Sequence, residues 1–335
     1  MMPSASKIAV AGTIILLAAL LPYGLIAIDQ EYLIGLASRI VIYGLAALSL
    51  NFILGYGGMV SFGHAAYFGV GAYVVGILSF HAFEGSTLFG VPGSDSALFV
   101  WPLAILLSAF AALVLGYLSL RTSGVYFIMI TLAFAQMLYF MFVSLERYGG
   151  DDGVIMYNGR NQIPGLDLSD EVTLYLVSLV VLVIFMGLFA MLVRSRFGMV
   201  LRACKQNEAR MLALGCNVQR YKLTAFVIAG SVAGLAGVLN ANLTEFVSPD
   251  YVHWTKSGDL MIMVVLGGMG TIPGPVIGSG VFLALEEFLP GLFELIGLAA
   301  YKEHWRIVFG PLLILVVLFA RGGILGLMTK GKSDA

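Results

Sequence analysis

Charge is scarce in this sequence. Only 11% of its 335 residues are Asp, Glu, Lys or Arg, where a soluble domain carries about 25%. The 18 basic and 19 acidic residues leave a formal net charge of −1. No basic field favours a nucleic acid, and no nucleic-acid partner is expected. Cysteine is nearly absent. Cys204 and Cys216 alone cannot build a disulfide framework, and no further ligand stands beside them for a metal site. The four histidines lie at no spacing that suits a metal or a Ser-His-Asp set. What is abundant is apolar surface: 60% of residues are hydrophobic and mean hydropathy is +0.97. No soluble core hides that much, so lipid is the expected solvent.

The apolar runs predict an all-α polytopic membrane protein in one domain, 1–335, with about ten spans. At 1.5 Å per residue, about 20 residues cross a hydrocarbon core of about 30 Å. The expected spans are Ile8–Ile28, Leu33–Leu54, Ala65–Phe80, Leu98–Leu120, Ser123–Leu145, Glu171–Val193, Leu223–Asn240, Ser257–Leu266, Val276–Leu289 and Ile307–Ala320. Ile8–Ile28 is too long for the apolar part of a signal peptide, about 7–15 residues, and another span follows at once. Arg39 is placed near an outer helix end, where it snorkels. Asp259 and Glu286–Glu287 are placed near span ends. The outer loops are 146–170, rich in Gly and Asp, 241–256 with its aromatics, and the segment from Pro290 to Arg306.

One stretch interrupts the apolar pattern. Arg194–Lys222 carries Arg194, Arg196, Arg202, Lys205, Arg210, Arg220 and Lys222 against one acid, Glu208. With this loop inside, twelve basic residues fall on the cytoplasmic side and five outside, the sign expected for an inside-positive topology with both termini cytoplasmic. Within the loop, Asn207 suits an N-cap and Gly215 a C′ residue. A short helix between them would give a soluble partner something to grip.

Glycines punctuate the spans at two places, 55–63 and 267–275. Irregular backbone at membrane depth is tolerated only where protein or a water-filled cavity satisfies it. Gly57, Gly58, Gly267, Gly268 and Gly270 are therefore candidates to border a translocation path, as are the sparse polar residues Asn51, Ser61, His64, Tyr67 and Gln136. Gly230–Gly234 reads as helix packing. No chain of buried ionisable residues runs through the spans, which argues against a proton-coupled carrier. The exits Ile53–Gly58 and Val265–Gly268 also look weakly alike, as in a parallel internal repeat. Gly326–Ser333 (GLMTKGKS) fits the P-loop pattern, but no strand precedes it and only two residues follow. It is read as a chance match, leaving no ATP site and no cofactor in this chain.

Three stretches carry a specific resemblance: Leu48–Tyr73 (LSLNFILGYGGMVSFGHAAYFGVGAY), Arg194–Lys222, and Leu260–Gly280 (LMIMVVLGGMGTIPGPVIGSG). Together with Tyr148–Gly153 they resemble the inner-membrane permease subunits of branched-chain amino acid ABC importers, the LivM kind. The likeness runs from about the second span to the tenth. It implies a multi-span, type II-like importer permease in a bacterial inner membrane. The implied partners are a second, LivH-like permease, two cytoplasmic ATP-binding subunits that hold the ATP, and a periplasmic substrate-binding protein. By position it places the ATPase-coupling residues at Arg202, Asn207, Glu208, Ala209 and Gly215. Glu208, Ala209 and Gly215 echo the EAA–G motif of such permeases. The sequence departs from that motif at Arg210, and Gly215 stands seven residues after Glu208 rather than six.

The function expected is therefore passage of leucine, isoleucine or valine through a permease subunit driven by separate ATPases. Related permeases for other amino acids, short amides or urea are the alternative. A self-sufficient carrier ranks below them, and a membrane enzyme or receptor scaffold ranks last for want of a catalytic set.

Overall fold

The structure, a computed structural model, describes residues 5–88, 90–295, 307, 309–311, 314 and 322–330. Its helices are α1 (Ala5–Ala27), α2 (Tyr32–Asn51), α3 (His64–Glu84), α4 (Ala97–Ser119), α5 (Val125–Val143), α6 (Glu171–Arg194), α7 (Arg196–Gln206), α8 (Glu208–Ala213), α9 (Val218–Thr244), α10 (Trp254–Gly267), α11 (Gly274–Leu295) and α12 (Gly323–Lys330). A π-helical turn, Phe52–Tyr56, prolongs α2. Among the described residues six helices are long and apolar enough to cross a membrane: α2 with its π turn, α3, α4, α5, α6 and α9. The protein is a multi-pass, all-α membrane protein. The end of the bundle that carries α7 and α8 is its basic end.

Burial sorts the spans into two shells. In their most apolar stretches, 67%, 67% and 72% of α2, α3 and α9 is buried, against 28%, 22% and 28% of α4, α5 and α6. The first three form the centre because small residues let their backbones approach. A Cβ on Gly71 would run into the Gly234 carbonyl, and one on Gly237 into that of Phe68. Gly230 and Gly234 face Ala112 and Ser108 of α4, the packing role read from their spacing.

The segment after α9 differs from the expected outer loop at 241–256. Helix α9 runs on to Thr244, and β2 (Phe246–Val247) pairs antiparallel with β1 (Val154–Ile155). The chain then turns back along α3 towards the basic end. Val247 packs by Gly76 and Val252 by Gly69, and Ser257 Oγ accepts the Ala65 amide N–H at 2.9 Å. Glycines at 69 and 76 open the groove that receives it. The aromatics expected at the membrane interface instead meet rings of the bundle: Tyr251 packs edge-on to Phe68, and Trp254 lies 6.2 Å from Phe62.

Helices α10 and α11 are separate and pack together, as expected for 257–266 and 276–289. At 14 residues, α10 extends about 21 Å, short of a full crossing. Helix α11 passes through Pro290 to Leu295, where the outer segment was expected to have begun. Membrane helices tolerate such a proline. The last expected span, Ile307–Ala320, falls largely outside the described residues. Residues 326–330 of the P-loop-like stretch are helical, within α12, and 331–333 lie outside the described residues. Arg39, expected to snorkel, pairs with Glu286 of α11 at 3.3 Å and leans over the Tyr43 ring, because α11 brings a carboxylate alongside α2.

Candidate functional site

The basic connection folds as a corner, a helix and a short exposed helix. Ser195 caps α7 by accepting the Gly198 N–H. Arg202 donates to the carbonyls of Gly198 and Val193, at 3.3 and 3.1 Å, and so ties α7 to the last turn of α6. Asn207 Oδ1 accepts the Arg210 N–H at 2.9 Å. Gly215, at φ +79°, ends α8 in the left-handed region, where glycine is free of Cβ strain. Met211, Cys204 and Val218 bury the inner face of α8. Burial pushes the Cys204 thiol above its ordinary value. The outer face presents Glu208, Ala209 and Arg210, with Leu212 57% and Leu214 70% exposed. Glu208 forms an ion pair with Lys222 of α9.

From this corner a line of polar contacts runs into the bundle. Lys205 Nζ donates to the Gly55 carbonyl at 2.7 Å, and its stem lies so near Gly58 that a Cβ there would stand 2.8 Å from Lys205 Cγ. One turn back, Asn51 is fully buried. Its Oδ1 accepts the Gly270 N–H at 2.8 Å and its Nδ2 donates to the Thr271 carbonyl at 2.7 Å. The two glycine-rich exits, of α2 and of α10, are thus clamped together. A Cβ on Gly55 would stand 2.6 Å from the Gly270 nitrogen, and one on Gly267 would strike the Gly274 carbonyl. Gly268 (φ +124°) and Gly270 (φ +79°) take conformations open to glycine.

The other path candidates separate into groups. Gly57 and Gly58 line a cavity of about 940 Å³ at the basic end, with Arg121, Lys205, Glu208 and Lys222. Ser61, His64 and Tyr67 are buried against this chain itself. Ser61 Oγ accepts the Gly63 N–H. His64 Nε2 lies 2.8 Å from Ser49 Oγ, and its Nδ1 has no partner among the described residues. Tyr67 packs edge-on to Phe226. Gln136 stands apart from these, 3.2 Å from His253 Nε2 just before α10.

At the opposite end, a polar knot fastens the 146–170 loop to α9. The Asn161 N–H donates to Asn242 Oδ1 at 2.7 Å, and Asn242 Nδ2 returns to Asn161 Oδ1 at 3.0 Å. Trp101 donates to the same Oδ1, and Arg160 pairs with Glu245 at 3.2 Å. Nothing in the sequence joined these residues, because the span was expected to end at Asn240 with Asn242 in the loop beyond it.

An apolar bundle with clamped glycine breaks and an exposed helix at one end defines a membrane permease. The chain belongs to the family described as the permease component of branched-chain amino acid transport systems, whose model matches residues 32–317. It is 27% identical over 315 residues to the LivM permease protein of Salmonella typhimurium, covering 87% of this chain and 69% of that one. It is 27% identical to the LivH permease protein of Escherichia coli (85% and 91% covered). It is 28% identical to the BraD permease protein of Pseudomonas aeruginosa (85% and 91% covered). All three are named as high-affinity branched-chain amino acid transport proteins. No solved structure matches significantly.

Proposed function

We propose that this chain is one permease half of an ATP-driven importer of leucine, isoleucine and valine in a bacterial inner membrane. The basic end and both termini face the cytoplasm, and the 146–170 loop faces the periplasm. A LivH-like permease supplies the other half of the path. Two cytoplasmic subunits bind and hydrolyse the ATP, and a periplasmic protein delivers the solute. This chain binds no nucleotide.

One observation carries the coupling role: beside the exposed α8, Lys205 near the end of α7 donates to the Gly55 carbonyl, and Asn51, one turn earlier, is hydrogen-bonded to the α10 break. Leu212 and Leu214 offer an apolar ridge to a soluble partner, and Asn207 to Gly215 is its docking helix. A push there moves Lys205, and with it the α2 exit and the clamped glycine backbone. The two permeases then alternate between outward and inward openings around a shared path.

Reconstitution tests the proposal. Proteoliposomes with both permeases, the ATPases and the binding protein should take up leucine only with ATP inside. Uptake by this chain alone, driven by an ion gradient, would overturn it. ATP-driven uptake of urea or short amides in place of leucine would move the substrate assignment to the related class.

A further inference from the structure

Among the described residues, two ion pairs stand within the length of the bundle. The first is Arg39–Glu286. The second is Lys256–Asp259 on α10, with Nζ and Oδ2 4.0 Å apart and side chains 29% and 36% exposed. The depth of α10 follows from its neighbours. His253, its cap, meets Gln136 midway along α5. Tyr251 lies against Phe68, which in turn lies 5.7 Å from Tyr43, midway along α2 and its π turn. Helix α10 therefore starts near mid-bundle, and its first turns show Trp254, Thr255, Lys256 and Asp259 on the chain's surface.

Charged side chains at that depth are costly against lipid and characteristically face a bundle interior or a water-filled path. Resting on the importer reading above, we propose that the first turns of α10 line the solute path. There Lys256 and Asp259 exchange their loose mutual contact for the carboxylate and ammonium of a zwitterionic α-amino acid. Trp254 and Phe62 flank its aliphatic side chain. The two charges differ in sign, as do those of the solute. A zwitterion that bridges them keeps both compensated, and its release restores the pair, so the solute is oriented without being held tightly.

The test uses the complete transporter in proteoliposomes. A water-soluble, charged thiol reagent should modify Thr255→Cys, with the parent protein labelled in parallel to account for Cys204 and Cys216. Modification should slow when the ATPases are trapped with vanadate. Lys256→Gln and Asp259→Asn should each lower the maximal uptake rate about tenfold or more. The concentration of loaded binding protein giving half-maximal uptake should stay unchanged, because docking is elsewhere. Three results would overturn the assignment: Thr255→Cys inert in every nucleotide state, wild-type maximal rates in both charge variants, or loss of subunit assembly in them, which would make the pair an inter-subunit contact. If the unsubstituted complex takes up no amino acid, the importer reading itself fails. The labelling result still reports whether this face meets water.

Discussion

Asn51 concentrates much of the architecture in one side chain. Its amide satisfies a backbone donor and a backbone acceptor in the α10–α11 break, both at membrane depth. Leucine keeps the branched outline, though bulkier, but leaves both orphaned, at about 1–3 kcal/mol each. Asn51→Leu should destabilise the purified protein by about 2–6 kcal/mol, read as a lower unfolding midpoint in detergent. An unchanged midpoint would mean the break holds itself together. A second residue gives a pH effect of definite sign. Asp170 caps α6, and hydrogen bonds from the Thr173 side chain and backbone hold its carboxyl below its ordinary 3.8, partly offset by burial. The contribution is complete above the unfolded value and is lost as pH falls through the lower folded one. Asp170→Ala should cost about 1 kcal/mol near neutrality. Its unfolding midpoint should converge on that of wild type in acid. A constant gap down to strongly acid pH would separate the cap from the ionised carboxylate.

Among the elements, α8 is the one whose size and role conflict. Six residues form no stable helix alone, so its two caps and the Met211–Cys204–Val218 cluster hold it. Asn207→Ala should remove about 1 kcal/mol, and Gly215→Ala should add about 1–2 kcal/mol of left-handed strain. On so short a helix either change, or Glu208→Ala, which frees Lys222, should cut uptake several-fold. Insertion and assembly should persist. Full uptake in all three would remove α8 from the coupling path. The caps were legible in the sequence because Asn and Gly act over three or four residues. The apolar spans were legible because length and hydropathy are local. The re-entry at 247–257 was not. Pro249, Asp250 and His253 mark a loop in any sequence, and only the groove at Gly69 and Gly76 of α3, far away in the chain, turns it inward. Asn242 and Asn161, 81 residues apart, escaped notice for the same reason. Arg39 and Glu286 likewise read as two helix-end residues until their helices were laid side by side.

At the scale of the whole molecule, the surface at membrane depth is of two kinds. Helix α4 shows Leu106 and Phe110, 65% and 62% exposed, with no charged residue within the helix. The start of α10 shows Thr255, Lys256 and Asp259 at a comparable remove from the bundle ends. One bilayer cannot solvate both equally well. If α4 meets lipid, Leu106→Arg places a cation near the middle of the hydrocarbon, a cost of about 2.5–3.5 kcal/mol on insertion scales. That is a large part of the margin of about 5–15 kcal/mol that holds a typical domain folded. If α10 meets water, Thr255→Arg carries no such penalty and only crowds the path. Leu106→Arg should therefore deplete folded protein from the membrane. Thr255→Arg should accumulate and assemble normally while transport fails. Extraction in mild detergent followed by size-exclusion chromatography reads the first quantity, and leucine uptake in proteoliposomes the second. The opposite pattern, with α4 indifferent to arginine and α10 intolerant of it, would turn the molecule around in the assembly. Helix α4 would then face the second permease across water, and the α10 ion pair would be a buried contact between subunits.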